Sequence, residues 1–204
     1  MQLSIIFAPF LVLLIFTAGC SSKPNAVKEI PSFLLKFPPD SFAYPIGDKE
    51  YSTERNDVWD KWYNAQDFGD NRHLGEDWNA NTGGNTDCGE AVFATADGLI
   101  TFAGDAGPGW GNTLIIDHTA ADGTKVQSLY GHLNTLDRTN GEVMRRGQIG
   151  TIGSANGRYL CHLHFEIRWE ASRFWNMSGP GYADDKTGWI DPSEFIDRQR
   201  ANSR

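Results

Sequence analysis

The chain has 204 residues, 40% of them AVILMFWYC and 22% charged, which suits one ordinary globular domain and excludes a disordered composition. Lys+Arg 18 against Asp+Glu 26 leaves a formal net charge of −8, a poor balance for wrapping nucleic acid or lying on an anionic membrane surface. Twenty-two glycines exceed the typical ~7% and imply many tight turns rather than long helices.

Residues 3–16 are almost unbroken apolar sequence and carry no charge. They are shorter than the roughly 20 residues of a spanning helix. Small residues follow at once, Thr17-Ala18-Gly19-Cys20, so residues 1–19 read as a cleaved export signal. The ending Ala18-Gly19-Cys20-Ser21-Ser22 resembles a bacterial lipoprotein lipobox, with Thr17 where that pattern usually has Leu. The resemblance implies a lipidated Cys20 and, in a Gram-negative cell, sorting to the periplasmic face of the outer membrane. Membrane contact is expected only through that anchor. Residues 20–41 mix Ser, Pro and Lys without a sustained period and read as a tether, which leaves 42–197 for the domain. Export places Cys88 and Cys161 where a disulfide can form. Their spacing leaves a bridge and two buried thiols equally open.

Val58, Trp59, Trp62 and Tyr63 recur at near-helical spacing, which predicts a short amphipathic turn within 54–68. Beyond residue 88, short β-type runs alternate with turn chemistry. Runs 91–96 and 99–103 flank Asp97-Gly98, a strong hairpin signal. Runs 113–117 and 125–130 flank a loop with Asp122-Gly123, and 147–153 and 162–168 follow. No run between these strands suits a crossover helix. The expected fold is all-β, a compact antiparallel β-sandwich or partly open barrel. The segment Gly107-Pro-Gly-Trp-Gly111 falls between strands, not before a helix, and so reads as a loop beside a groove rather than a phosphate cradle.

The chemistry concentrates in five histidines: His73, His118, His132, His162 and His164. His73-Leu-Gly-Glu-Asp77 sets an imidazole and a carboxylate four positions apart. In the run 162–168, His162, His164, Glu166 and Arg168 alternate with Leu163, Phe165 and Ile167. On a strand both imidazoles then share one face and the apolar set packs on the other. Two imidazoles and one carboxylate suit zinc, and three protein ligands leave the fourth position open, as catalytic sites require. His118, at the end of an apolar run, reads as a structural hydrogen-bonding residue. Glu76, beside Asp77, is the competing candidate ligand.

The ordered series His73-Leu-Gly-Glu-Asp77-Trp78, Asp97-Gly98, Gly111-Asn112, Tyr130-Gly-His132, Gly147-Gln-Ile-Gly150 and His162-Leu-His164-Phe-Glu resembles the M23 family of zinc peptidases. Members cut peptides in bacterial cell walls. Gly188-Trp-Ile-Asp-Pro192 resembles the family's closing segment, and Cys161 stands where a proline often precedes its His-x-His. The resemblance implies an antiparallel β fold with one Zn2+ in a groove, held by His73, Asp77 and His164. It implies His132 and His162 as the metal-free catalytic pair and peptidoglycan peptides as the substrate. Some relatives lack ligand positions and instead activate wall amidases. That alternative, and a peptidase acting on secreted proteins, are the competing readings, and all five positions are present here.

Overall fold

The computed structural model describes residues 42–47, 61–120 and 122–202. The export signal, Cys20, the tether, Val58 and Trp59 lie outside them. In chain order the described elements are β1 (Trp62–Gln66), β2 (Glu76–Ala80), β3 (Ala91–Phe93), β4 (Gly98–Asp105), β5 (Asn112–Thr119), β6 (Lys125–Leu133), β7 (Thr135–Leu136), β8 (Gly141–Val143), β9 (Gln148–Thr151), β10 (Leu163–Trp169), β11 (Trp189–Ile190) and the helix α1 (Pro192–Asn202). The larger sheet runs β1-β2-β10-β6-β5-β4-β8, with β11 on β10; the smaller is β3-β9-β7. Every described pairing is antiparallel. The fold is therefore all-β with two sheets that do not close.

Alternation builds the core. Leu163, Phe165 and Ile167 of β10 join Val126 and Tyr130 of β6, Leu114 and Ile116 of β5, and Val92 and Ile149 of the small sheet in one buried cluster. On β2, Glu76 and Trp78 are buried while Asp77 faces the opposite side, half-buried. Glu76 is taken up structurally: it accepts from Trp78 Nε1 at 3.1 Å and from Ser193 Oγ at 2.8 Å, at the start of α1. That removes it from the ligand set.

Two local expectations fail among the described residues. The predicted turn within 54–68 is strand β1 from Trp62 onward, paired with β2 in the register Trp62↔Ala80. Four aromatic and apolar residues in so short a window do not separate a helix from a strand whose backbone partner lies elsewhere. The predicted Asp97-Gly98 hairpin does not form, because β3 pairs β9 whereas β4 pairs β5 and β8. Gly98 serves close approach instead: a Cβ there would lie 2.4 Å from the Asp117 carbonyl oxygen. Asp97 in turn accepts the Arg145 N–H at 2.7 Å, which ties the two sheets across the crossing. The hairpin between β5 and β6 forms as expected.

Cys88 and Cys161 are bridged, with Cα atoms 5.3 Å apart, which resolves the open pairing. The bridge fixes the residue before His162 to the 82–90 segment.

His118 is structural. Its Nδ1–H donates to the Asp97 carbonyl at 2.8 Å, so Nε2 accepts from Ser128 Oγ at 2.7 Å. Burial pushes this imidazole down to about 4 in spite of the Asp97 hydrogen bond. The unfolded chain then binds the extra proton as pH falls below the ordinary value near 6.5, and the native state does not. The His118 contribution to stability is expected to be full above about pH 6.5 and to fall by roughly 3 kcal/mol as pH approaches 4. Urea unfolding across that range should show a shallower slope in His118→Gln than in the wild type, with the remainder left to the likewise depressed His132. An equal slope in both would contradict the assignment.

Candidate metal centre

The site forms where β2, β10 and the turn before β2 meet. Asp77 on β2 and His164 on β10 are direct cross-strand partners. Their side chains meet with His164 Nδ1 2.9 Å from Asp77 Oδ1. His73 arrives from the turn, bridged to Tyr182, and its Nε2 lies 3.0 Å from His164 Nδ1 and 3.3 Å from Asp77 Oδ1. Gly75 allows this approach, since a Cβ there would lie 2.5 Å from the Phe165 carbonyl oxygen.

Two imidazole nitrogens and a carboxylate oxygen thus converge, all within 4.8 Å of one another. A tetrahedral ion with bonds of roughly 2.0–2.1 Å sets its ligands about 3.3 Å apart. The donor set fits zinc in kind and in spacing. The charge state agrees. Burial alone would raise the Asp77 carboxyl, but hydrogen bonds from His164 and His73 hold it well below the usual range. Burial would lower His164, but Asp77 and Glu166 outweigh it and push the imidazole up to about 9. Without a metal, a proton on His164 Nδ1 supplies the positive charge that the cluster demands. Asp87, Cys88 and Cys161 also cluster, but both thiols are consumed in the disulfide.

Next to the triad stands a buried polar chain on the same face of β10 as His164. His164 Nε2 donates to Glu166 Oε1 at 3.0 Å, which turns Nδ1 toward Asp77 and His73. Glu166 Oε2 accepts from Arg168 Nε at 2.7 Å and from Trp189 Nε1 at 2.7 Å. Burial would raise the Glu166 carboxyl, yet Arg168 and His164 hold it low. The Arg168 guanidinium spends its remaining donors on Glu166 and on the carbonyls of Phe174, Met177 and Ser178, so all five N–H groups are used. That clamps the 174–178 loop, and Gly179, Pro180, Gly181 and Tyr182 continue from it along the groove. Removing one partner of a buried pair typically costs about 3–5 kcal/mol. Arg168→Ala is expected to lose stability of that order in urea unfolding; a loss below about 1 kcal/mol would contradict the clamp.

His132 and His162 flank the converging triad, with ring centroids 4.7 Å apart. His162 Nε2 lies 3.8 Å from Asp77 Oδ1. Each Nδ1 sits against a carbonyl oxygen, Trp110 O at 3.2 Å for His132 and Leu160 O at 2.9 Å for His162. A carbonyl only accepts, so each Nδ1 carries a proton, and Nε2 is the ring nitrogen left toward the groove, with a lone pair in the neutral form. Burial and the adjacent His164 and His162 push His132 down to about 3. His132 also holds φ 65, a left-handed backbone unusual for a side-chain-bearing residue and concentrated at functional sites.

The groove over this cluster encloses about 550 Å³ and is lined by Trp110, Tyr159 and Tyr182 as well as Asp77, His132, His162 and His164. The expected groove role of the 107–111 loop is met, since Pro108, Gly109 and Trp110 form its wall. Tyr182 packs on His73 at 4.9 Å and Tyr159 on His132 at 5.1 Å. The sequence carried no pattern pointing to either tyrosine.

Residues 71–176 match the sequence model of Peptidase family M23. Among curated relatives, the murein hydrolase activator NlpD of Salmonella dublin is 39% identical over 102 residues, 47% of this chain and 26% of that protein. The DD-carboxypeptidase/endopeptidase Mpg of Neisseria meningitidis serogroup B is 42% identical over 80 residues, 39% of this chain and 17% of that protein. The chain thus spans about a quarter or less of the length of these relatives. Lysostaphin of Staphylococcus simulans shares the fold with a TM-score of 0.51 at 21% identity, over 72% of this chain and 54% of that one.

Proposed function

From the premise that the chain belongs to peptidase family M23, we propose that it is an exported zinc metalloendopeptidase that hydrolyses peptide bonds in bacterial peptidoglycan. The observation that carries this reading is the convergence of buried His73 with Asp77 and His164, the latter two lining a groove beside the Nε2 atoms of two further imidazoles. In this reading those three residues hold one zinc ion, which supplies Lewis acidity to a scissile carbonyl and brings the pKa of a water toward neutrality. Glu166 keeps His164 in the ligating tautomer. His132 and His162 take the water's proton at Nε2 and return it to the departing amine. Trp110, Tyr159 and Tyr182 confine the peptide between apolar walls.

The same proposal takes residues 1–19 as a removed signal, Cys20 as the lipidated residue, 20–41 as a tether and 42–197 as the peptidase domain. The protein then works in the cell envelope, at the periplasmic face of the outer membrane.

The likeness to an activator favours a second reading, a catalytically silent module that regulates wall amidases. Incubating the full chain with purified peptidoglycan and weighing the released fragments separates the two. Fragments cut at peptide bonds support the peptidase. No release by the chain alone, together with faster release by an added amidase, supports the regulator.

A further inference from the structure

The groove continues past the histidine cluster into a second hollow of about 410 Å³, bounded by Asp105, Asn156 and Gly157. Arg158 lines both hollows, with Pro108 and Gly109 as the other shared walls. Among the described residues it is the only Lys or Arg lining either one. Its backbone is fixed. The Arg158 N–H donates to the Ser154 carbonyl at 2.9 Å, and Ser154 Oγ accepts the Gly157 N–H at 3.0 Å. The turn packs so closely on Gly111 that a Cβ there would lie 2.8 Å from Ala155 Cα. The next residue, Tyr159, sets its ring at a tilt against His132, centroids 5.1 Å apart, and His162, 5.8 Å apart. The backbone that carries Arg158 is therefore locked to the reactive histidines.

The side chain is the opposite case. It is exposed and makes no hydrogen bond or ion pair with the other described residues, in a chain of net charge −8. Asp105, the carboxylate lining the same hollow, is turned to its own loop, where Oδ1 accepts the Gly107 N–H at 2.8 Å. A lone guanidinium in a groove without a partner calls for an anion from outside. Its planar fork suits a carboxylate, which it can bind bidentately.

We propose that Arg158 is a specificity residue that binds a free carboxylate of the substrate close to the bond cut, so that the preferred substrate is an anionic stem peptide rather than its amidated form. The proposal rests on the peptidase reading above. It adds that the enzyme reads the amidation state of the wall.

The test uses a cross-linked stem-peptide dimer with free carboxylates and the same dimer with carboxamides in their place. For the wild type the ratio of kcat/KM between them is expected to be about 3- to 10-fold at low salt, between an exposed ion pair and a charge-assisted hydrogen bond. In Arg158→Gln the ratio should collapse to near one, chiefly through KM, with Arg158→Lys between. Added salt should erode the wild-type ratio. A wild-type ratio near one, or an undiminished ratio in Arg158→Gln, overturns the proposal. If the wild type cuts neither dimer, the peptidase reading fails on its own. Calorimetric Kd values for the same two dimers then decide the Arg158 assignment by the same ratio and its collapse.

Discussion

His164→Ala is expected to abolish metal binding and turnover together. The residue is the hinge of the cluster: its Nδ1 meets both Asp77 and His73 on one side while its Nε2 donates to Glu166 on the other. Deleting it leaves one imidazole and one carboxylate, too few donors to hold zinc tightly. Loss of Lewis-acid stabilisation worth several kcal/mol should lower turnover by at least about 10³-fold. Metal content after dialysis should fall from one zinc per chain to near zero. The circular dichroism spectrum should be compared, because the variant also removes one partner of the buried Glu166. A folded variant that retains one zinc per chain would contradict the ligand assignment.

His162→Ala and His132→Ala are expected to separate binding from chemistry. Neither side chain belongs to the converging triad, yet each keeps Nδ1 on a carbonyl and leaves Nε2 beside it. Each variant should keep one zinc per chain and lose about 10²–10⁴-fold in kcat, the usual contribution of positioned acid–base groups. The double variant should lose less than the product of the two, since groups that move one proton act as a unit. Near wild-type turnover in His162→Ala would remove that residue from the mechanism.

Part of this site was legible in the amino-acid pattern. The two-residue period of a strand placed His162 and His164 on one face, and the structure keeps both against Asp77 Oδ1. The pairing of Asp77 with His164 was not legible, because it depends on a register between segments 87 residues apart. Nor was the Arg168 clamp, whose acceptors are carbonyls of an irregular loop with no side-chain signature. Asp97-Gly98 shows a local signal overridden by tertiary demand, since the glycine is needed where β4 presses on β5, not for a turn. The helix α1 had a signal that went unused: Asp191 Oδ1 accepts the Glu194 N–H at 2.9 Å, and Pro192 occupies the first helical position.

The central claim is that His73, Asp77 and His164 hold a zinc on which peptide-bond cleavage depends. The most direct measurement digests purified peptidoglycan with the full chain as prepared, after stripping with a zinc chelator, and after zinc is returned, weighing the fragments each time. Fragments cut at peptide bonds are expected in the first and third digests and none in the second. Equal release in all three, or none from folded protein carrying one zinc per chain, would contradict it.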